Sequence, residues 1–360
     1  MSRKETHQVP HSKENKRISG SVLIPGLVIF AALASIFAIG IGAISISPSQ
    51  VIAILLKAIG ISVPVAFSQE QEAVLLTLRL PRVVLALLTG AGIASSGAAI
   101  QALFRNPLAD PGLIGISSGA AAGAVGMIVL GVGVWSGSFI TLILPASAFV
   151  AALLTSLFVY KISTRGGRTQ AATMLLSGIA VNALSGAFIG LMTFVASDVQ
   201  LRNITFWSLG SLGGAQWESV SIMGVIVVPS VLILTGLSKK LNLLLLGERE
   251  AEHLGMNVQT LKRVVIIIAA LAVGSSVALC GIIAFIGLVV PHLVRLVSGP
   301  DNRIVVPGAA ILGGGLLCLA DTAARTIATP AELPLGIVTA AIGAPFFLWI
   351  LTRNHLRGEL

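Results

Sequence analysis

The sequence predicts an all-α polytopic membrane protein with about ten transmembrane helices. Of its 360 residues, 55% are hydrophobic and only 10% are charged, whereas soluble domains carry about 25% charged residues. The mean hydropathy is +0.98. Runs of about 20 apolar residues, the length that crosses a bilayer as a helix, recur along the chain. Because these runs are continuous and do not alternate, they disfavour a transmembrane β-barrel.

Ten spans follow from the apolar runs in chain order. The eighth is short and contains Pro291, so we expect it to be tilted or broken. A half-apolar segment at 48–60 follows Ser47-Pro48, which indicates a short helix lying at the outer surface. The predicted spans are 22–44, 83–104, 113–134, 139–160, 171–195, 219–237, 264–282, 284–298, 304–324 and 335–352.

The N-terminus divides into a polar tail and the first span. Residues 1–20 are polar and basic, and we expect them to form a disordered cytoplasmic tail. The apolar run at 21–44 is too long for a signal peptide, and no A-x-A cleavage site follows it, so it predicts an uncleaved span. Residues 21–355 are then one transmembrane domain, whose longest inside loop is about 238–263.

Charge sets the predicted orientation. With the N-terminus inside, the cytoplasmic segments hold 18 of the 23 Lys and Arg residues, and the positive-inside rule therefore places both termini in the cytoplasm. An even number of predicted spans also places both termini on the same side of the membrane. The net charge of +9 is explained by these loops and needs no nucleic acid. The basic residues left outside are Lys57, Arg79, Arg82, Arg202 and Arg325.

A short internal similarity links the two halves of the chain. Arg82-Val-Val opens the second span and Ser95-Ser96 follows, while Arg263-Val-Val opens the seventh span and Ser275-Ser276 follows. Five spans separate the two starts, so the halves would point in opposite directions across the membrane. This predicts an inverted internal repeat, an arrangement found in many transporters.

The chain has no energy source of its own. It contains no G-x-x-x-x-G-K-[ST] motif, and the dipeptide Gly-Lys is absent from the sequence, so no phosphate-binding loop is expected. The spans are nearly free of charge, whereas ion-driven carriers place ionisable groups at mid-membrane. Asp321 and Arg325 are four residues apart at the outer end of the ninth span and can pair on one helix face. We therefore expect the energy to come from a separate subunit.

Two charged regions offer contacts outside the membrane. In the inside loop, Glu250-Ala-Glu-His-Leu-Gly255 predicts a short helix ended by a glycine cap, either a solvated loop helix or a docking helix for a cytoplasmic partner. On the outside, Arg79 and Arg82 fit either an external protein partner or anchoring to lipid phosphates.

Catalytic and metal sites are not expected. Cys280 and Cys318 fall in predicted spans and are interpreted as packing residues without a disulfide. His253 and His292 have no partner at metal-ligand spacing. The sequence thus predicts neither an enzyme nor a bound cofactor.

Several motifs in a fixed order carry a resemblance to a known family. The chain resembles the permease subunits of bacterial ABC importers for iron chelates, haem and cobalamin, over about residues 45–353. The motifs are Arg79-Leu-Pro-Arg82, Arg105-Asn-Pro-Leu-Ala-Asp-Pro-Gly-Leu-Ile-Gly-Ile-Ser-Ser-Gly119, Glu250-Ala-Glu-His-Leu-Gly255, Phe285-Ile-Gly-Leu-Val-Val-Pro-His-Leu-Val-Arg295, Ala320-Asp-Thr-Ala-Ala-Arg325 and Glu332-Leu-Pro-Leu-Gly-Ile-Val-Thr-Ala-Ala-Ile-Gly-Ala-Pro345.

The resemblance implies an assembly in a bacterial inner membrane. It implies a homodimer of ten-span subunits, two cytoplasmic ABC ATPase subunits that bind ATP and Mg²⁺, and an extracytoplasmic substrate-binding protein. Arginines that match Arg79, Arg82 and Arg325 meet glutamates of the binding protein in the family. The residues implied in coupling to the ATPase are Gly247, Glu248, Glu250, Ala251, Leu254 and Gly255.

The resemblance is greatest to haem permeases, with a siderophore or cobalamin permease as the alternative. The predicted passage walls, spans five and ten, are neutral and suit all three ligands. A stand-alone channel or secondary carrier is the hypothesis from a different class, and the scarcity of mid-membrane charge disfavours it. The candidate passage residues in span five are Met174, Asn182, Ser185, Met192 and Thr193.

Overall fold

The fold is a bundle of helices, seen in a computed structural model that describes residues 18–42, 44–131 and 140–356. Most of the predicted tail at 1–20, residue 43 of the first predicted span, and the facing ends of the third and fourth spans lie outside these residues. The helices in chain order are α1 Gly20–Gly40, α2 Pro48–Ala58, α3 Gln69–Ala73, α4 Leu80–Phe104, α5 Ile116–Leu130, α6 Ile140–Ile162, α7 Ala171–Val195, α8 Asp198–Leu209, α9 Trp217–Gly236, α10 Ser238–Leu246, α11 Glu248–His253, α12 Val258–Cys280, α13 Ile286–Ser298, α14 Asn302–Thr326 and α15 Leu335–Leu356.

Each predicted span coincides with one of these helices, and the polytopic all-α fold is confirmed. Among the described residues, seven helical stretches are long and apolar enough to cross a membrane. The other three predicted spans, at 113–134, 284–298 and 335–352, correspond to shorter apolar stretches in α5, α13 and α15. The short helix predicted at 48–60 is α2, which begins with a capping box between Ser47 and Gln50.

Irregular backbone beside the short helices explains their length. A 3₁₀ turn at Pro111–Ile114 precedes α5, and residues 281–285 form no helix before α13. Phe285 has a φ of 66°, and the Ser211 amide donates to the Cys280 carbonyl at 2.8 Å. Irregular backbone is tolerated at membrane depth when it is buried in protein, and here it is packed against neighbouring segments.

Helix α4 lies at the centre of the bundle, in contact with α9, α12, α13 and α14. Glycines allow this close packing. A Cβ on Gly97 would lie 1.9 Å from the Gly287 carbonyl oxygen, and a Cβ on Gly90 would lie 2.2 Å from that of Gly313. Backbones in direct contact replace the side-chain layer that joins most soluble helices.

Both cysteines are free and buried in this core. Cys280 lies 3.4 Å from the Thr89 hydroxyl, and Cys318 lies 3.6 Å from the Val83 carbonyl oxygen. Their interpretation as packing residues is confirmed.

Several elements lie outside the predicted spans. The second span starts at Gln69 as α3 and continues through a π-helical turn, Val74–Arg79, into α4. Its first turn is polar, so a hydropathy window excludes it. Helices α8 and α10 also lie between predicted spans. A two-stranded antiparallel hairpin does too, in which β1, Thr164–Arg165, pairs with β2, Arg168–Thr169.

Candidate functional sites at the two ends of the bundle

At the predicted outer end, Arg82 joins two carboxylates. Its guanidinium lies 2.9 Å from Asp321 Oδ1 and Oδ2 through Nη2 and Nε, and 2.9 Å from Glu332 Oε2. The side chain of Asp321 is 3% exposed, whereas that of Glu332 is 47% exposed. The hydrogen bonds from Arg82 lower the pKa of the Glu332 carboxyl, so this loop residue stays ionised at neutral pH.

Arg79 holds the end of α1. It is 6% exposed, and its Nη1 donates to the Ile39 carbonyl at 2.7 Å and to that of Gly40 at 3.1 Å. Its Nη2 donates to the Ile44 carbonyl. The last carbonyls of a helix have no partner within it and carry partial negative charge, so a buried cation there satisfies them.

Arg325, on α14, also donates to carbonyls at the end of α1. Its Nη1 donates to the Ile41 carbonyl at 2.9 Å and its Nη2 to that of Ala38. Its Nε lies 3.6 Å from Asp321 Oδ2, so the pair expected between these two residues is present. All three arginines assigned to docking therefore have partners within the chain. Their docking role stays a prediction, and Arg82 beside the half-exposed Glu332 is the most accessible part of this network.

At the predicted inner end, α11 is a six-residue helix between two glycines with positive φ. Gly247 has a φ of 133° and Gly255 a φ of 81°, and the latter confirms the predicted glycine at the end of the helix. Within α11 Ala251 is buried, and so is Gly247 just before the helix. The coupling residues left exposed are Glu250, Leu254 and Gly255.

Glu248, the remaining coupling residue, is turned inward. Both of its carboxylate oxygens lie 2.7 Å from Lys262 Nζ on α12. Lys262 is 3% exposed, and its ammonium also donates to the Thr169 carbonyl at 2.7 Å. Lys262 was not among the functional residues predicted from the sequence. Its spacing from Val258, Leu261 and Val265, which places it on the buried face of α12, could have revealed it.

The candidate passage residues lie along α7. Met174, Ser185 and Met192 are buried within the subunit, and Asn182 accepts a hydrogen bond from the Ser118 hydroxyl on α5 at 2.5 Å. The Thr193 hydroxyl donates to the Ile189 carbonyl at 2.7 Å. The passage role of these five stays a prediction. The opposite face of α7 is exposed and small or apolar, with Leu176, Ile179, Ala180, Ala183, Leu184, Gly186, Ala187, Leu191 and Phe194.

The turn 105–112, predicted to lie on the inside, is held by local hydrogen bonds. Arg105 ends α4 with a φ of 50°, and Asp110 accepts a hydrogen bond from the Gly112 amide at 2.7 Å. Burial raises the pKa of the Asp110 carboxyl. Next to the turn, the Arg295 Nη1 donates to Gln101 Oε1 at 2.5 Å, which ties α13 to the end of α4.

Comparisons with known proteins agree with this architecture. The profile of the FecCD transport family matches residues 28–353. The hemin transport system permease protein HmuU of Yersinia pestis is 45% identical over 78% of this chain and 83% of its own length. The cobalamin import system permease protein BtuC of Halobacterium salinarum is 42% identical over 83% of this chain and 79% of its own.

A solved structure has the same fold. It is a metal-chelate type ABC transporter in an inward-facing conformation, 31% identical, and the superposition has a TM-score of 0.81 over 92% of this chain and 99% of the other. This chain therefore belongs to the FecCD transport family and is a multi-pass membrane permease subunit of an ABC importer, not an enzyme.

Proposed function

We propose that this chain is the haem permease of an ATP-driven importer. The observation that carries the proposal is the 45% identity to the hemin permease HmuU across most of both chains. The 42% identity to a cobalamin permease supports the alternative substrate, and a ferric siderophore is a further one. All three are large ligands that suit a neutral passage.

The proposed assembly contains two copies of this chain, two ATPase subunits and a substrate-binding protein. We place it in the bacterial inner membrane with both termini in the cytoplasm, because the basic loops are on that side. The exposed face of α11, with Glu250 and Leu254, is the proposed contact for the ATPase. ATP and Mg²⁺ would bind to that subunit.

On the outer face, the proposed docking point is the network around Arg82. A glutamate of the binding protein would have to compete with Glu332, whose carboxylate lies 2.9 Å from Arg82 Nη2. Arg79 and Arg325 would support the site from beneath, since both hold the end of α1.

Substrate competition in the reconstituted importer tests the haem proposal. Proteoliposomes that contain the permease, its ATPase and its binding protein are supplied with haem, cobalamin or a ferric hydroxamate siderophore under identical conditions. We expect ATP-dependent uptake of haem, and excess unlabelled cobalamin should leave it unchanged. Uptake of cobalamin or siderophore without haem would reject haem and retain the importer.

A further inference from the structure

One buried ammonium group joins three elements at the inner end of the bundle. We propose that Lys262 is a positioning residue that relays displacement of α11 to the start of α7. The proposal rests on the proposed function in one respect: it takes α11 as the surface that the ATPase moves. It adds the residue through which that motion would reach the candidate passage helix.

The ammonium of Lys262 has a partner within the protein for each of its hydrogen-bond donors. An ammonium group has three N–H donors. Its Nζ lies 2.7 Å from both carboxylate oxygens of Glu248 and 2.7 Å from the Thr169 carbonyl oxygen. Lys262 thus contacts the helix α11 and the hairpin strand β2 at the same time.

Thr169 is held at both of its backbone groups by side chains of α12. Its carbonyl accepts from Lys262, and its N–H donates to Gln259 Oε1 at 2.9 Å. Gln259 and Lys262 are three residues apart and therefore neighbours on the helix surface. Helix α7 begins only two residues after Thr169, at Ala171, so a displaced Thr169 displaces the first turn of α7.

The hairpin is a stiff connection to α7. Its strands pair Thr164 with Thr169, and their hydroxyls lie 2.9 Å apart. The Gln170 amide donates to the Ser163 carbonyl at 3.1 Å, and the Met174 amide donates to the Gln170 carbonyl at 3.0 Å. Lys262 and Met174 also line one small gap between α12 and α7.

Because Lys262 is buried, its ammonium cannot easily replace its protein partners with water. Lys262 is almost fully buried, whereas the side chain of Glu248 is 35% exposed. A buried charge that loses its partner is left uncompensated at high cost. When α11 moves, the ammonium is therefore expected to follow the Glu248 carboxylate, and the Thr169 carbonyl to follow the ammonium.

The test compares coupling in the complete importer, with haem and cobalamin as the probes. Substrate moved per ATP hydrolysed is measured for wild type, Lys262→Met and Lys262→Arg. In Lys262→Met we expect ATP hydrolysis to persist while substrate per ATP falls at least about fivefold, within the usual range of coupling energies. Lys262→Arg keeps a cation with several donors and should recover most of the ratio. An unchanged ratio in Lys262→Met overturns the relay.

A charge swap separates the relay from a simple ion pair. Glu248→Lys combined with Lys262→Glu keeps the attraction, but a carboxylate cannot donate to the Thr169 carbonyl. The relay predicts that the swapped complex assembles and stays uncoupled, and full recovery of substrate per ATP would contradict it. Lys239→Met, an exposed lysine on α10, is the matched control and should leave the ratio unchanged.

A second readout, amide hydrogen exchange, needs no transported substrate. Hydrogen exchange of amides 164–174 is measured before and after the ATPase binds with ATP. The relay predicts a change in protection in wild type that is absent in Lys262→Met and weaker in the isosteric Glu248→Gln. Equal changes in wild type and Lys262→Met overturn the relay. Failure of wild type to import either probe counts against the proposed function alone.

Discussion

Arg82 on α4 and Asp321 on α14 form a bidentate ion pair although 239 positions separate them in the sequence. The Asp321 side chain is almost fully buried, and Arg325 Nε lies 3.6 Å from its Oδ2. Arg82 also forms an ion pair with Glu332 in the loop before α15. This pair therefore joins the central helix to two later elements at one end of the bundle.

The Arg82–Asp321 pair should contribute strongly to stability. Arg82→Met leaves a buried carboxylate with Arg325 alone, and loss of one partner of a buried pair costs about 3–5 kcal/mol. We expect a clear loss of thermal stability in detergent. The matched control is Arg303→Met, whose partner Asp301 lies at the surface, where such pairs contribute about 0–1 kcal/mol. Equal losses in the two variants would contradict the burial argument.

Gly97 should tolerate no side chain. A Cβ there would lie 1.9 Å from the Gly287 backbone oxygen, so Gly97→Ala must separate α4 from α13. Overpacking of this kind costs about 1–3 kcal/mol. Gly224→Ala on α9 is the control, because nothing lies within 4 Å of its added Cβ. Thermal unfolding of the two purified variants measures the difference, and a neutral Gly97→Ala would show that the helices can move apart freely.

Glu332 should compete with the binding protein for Arg82. Glu332→Gln removes that competitor, so docking should tighten by about 1 kcal/mol, or about fivefold in Kd. The measurement is binding of the substrate-binding protein to the permease complex in nanodiscs. A weaker interaction in Glu332→Gln would mean that Glu332 itself contacts the partner.

The same carboxylate gives a pH expectation. The pKa of Glu332 is lowered by its hydrogen bonds to Arg82, from an ordinary value of about 4.3. A depressed pKa means that the ion pair is fully present above that ordinary value and is lost only as the pH falls below it. The effect of Glu332→Gln on Kd should therefore be constant between pH 5 and 8. An effect that fades within this range would require a titrating group other than Glu332.

The exposed face of α11 should be required for coupling. Glu250→Lys reverses a charge that faces solvent and should leave the fold intact while ATP hydrolysis no longer drives uptake. The control is Glu218→Lys, which changes an exposed glutamate at the N-terminal end of α9, away from α11. Normal ATP-driven uptake by Glu250→Lys would remove this residue from the ATPase contact.

The spans could be predicted from the sequence because each is a local property. About 20 apolar residues define a membrane helix whatever surrounds it, and all ten predicted spans coincide with helices. The helix that starts at Gln69 was missed because its first turn is polar. The sequence still held a signal for it, since Ser68 and Gln71 form a capping box.

The bonding of the charged residues could not be predicted in the same way. The sequence predicts Arg79 as an outside cation that meets a protein partner or lipid phosphates. Its bonds to the carbonyls at the end of α1 depend on how distant helices pack. The resemblance placed Glu248 among the residues that couple to the ATPase, and only the fold shows its ion pair with Lys262. The pair between Asp321 and Arg325 was predictable because four residues on one helix fix their separation.

We expect this permease to work only with a separate ATPase, and uptake into proteoliposomes tests that requirement directly. Labelled haem is supplied with the binding protein, and uptake is measured with the ATPase and ATP, with a non-hydrolysable ATP analogue, and with the permease alone under a proton or sodium gradient. We predict uptake only in the first condition. Gradient-driven uptake by the permease alone would contradict the account.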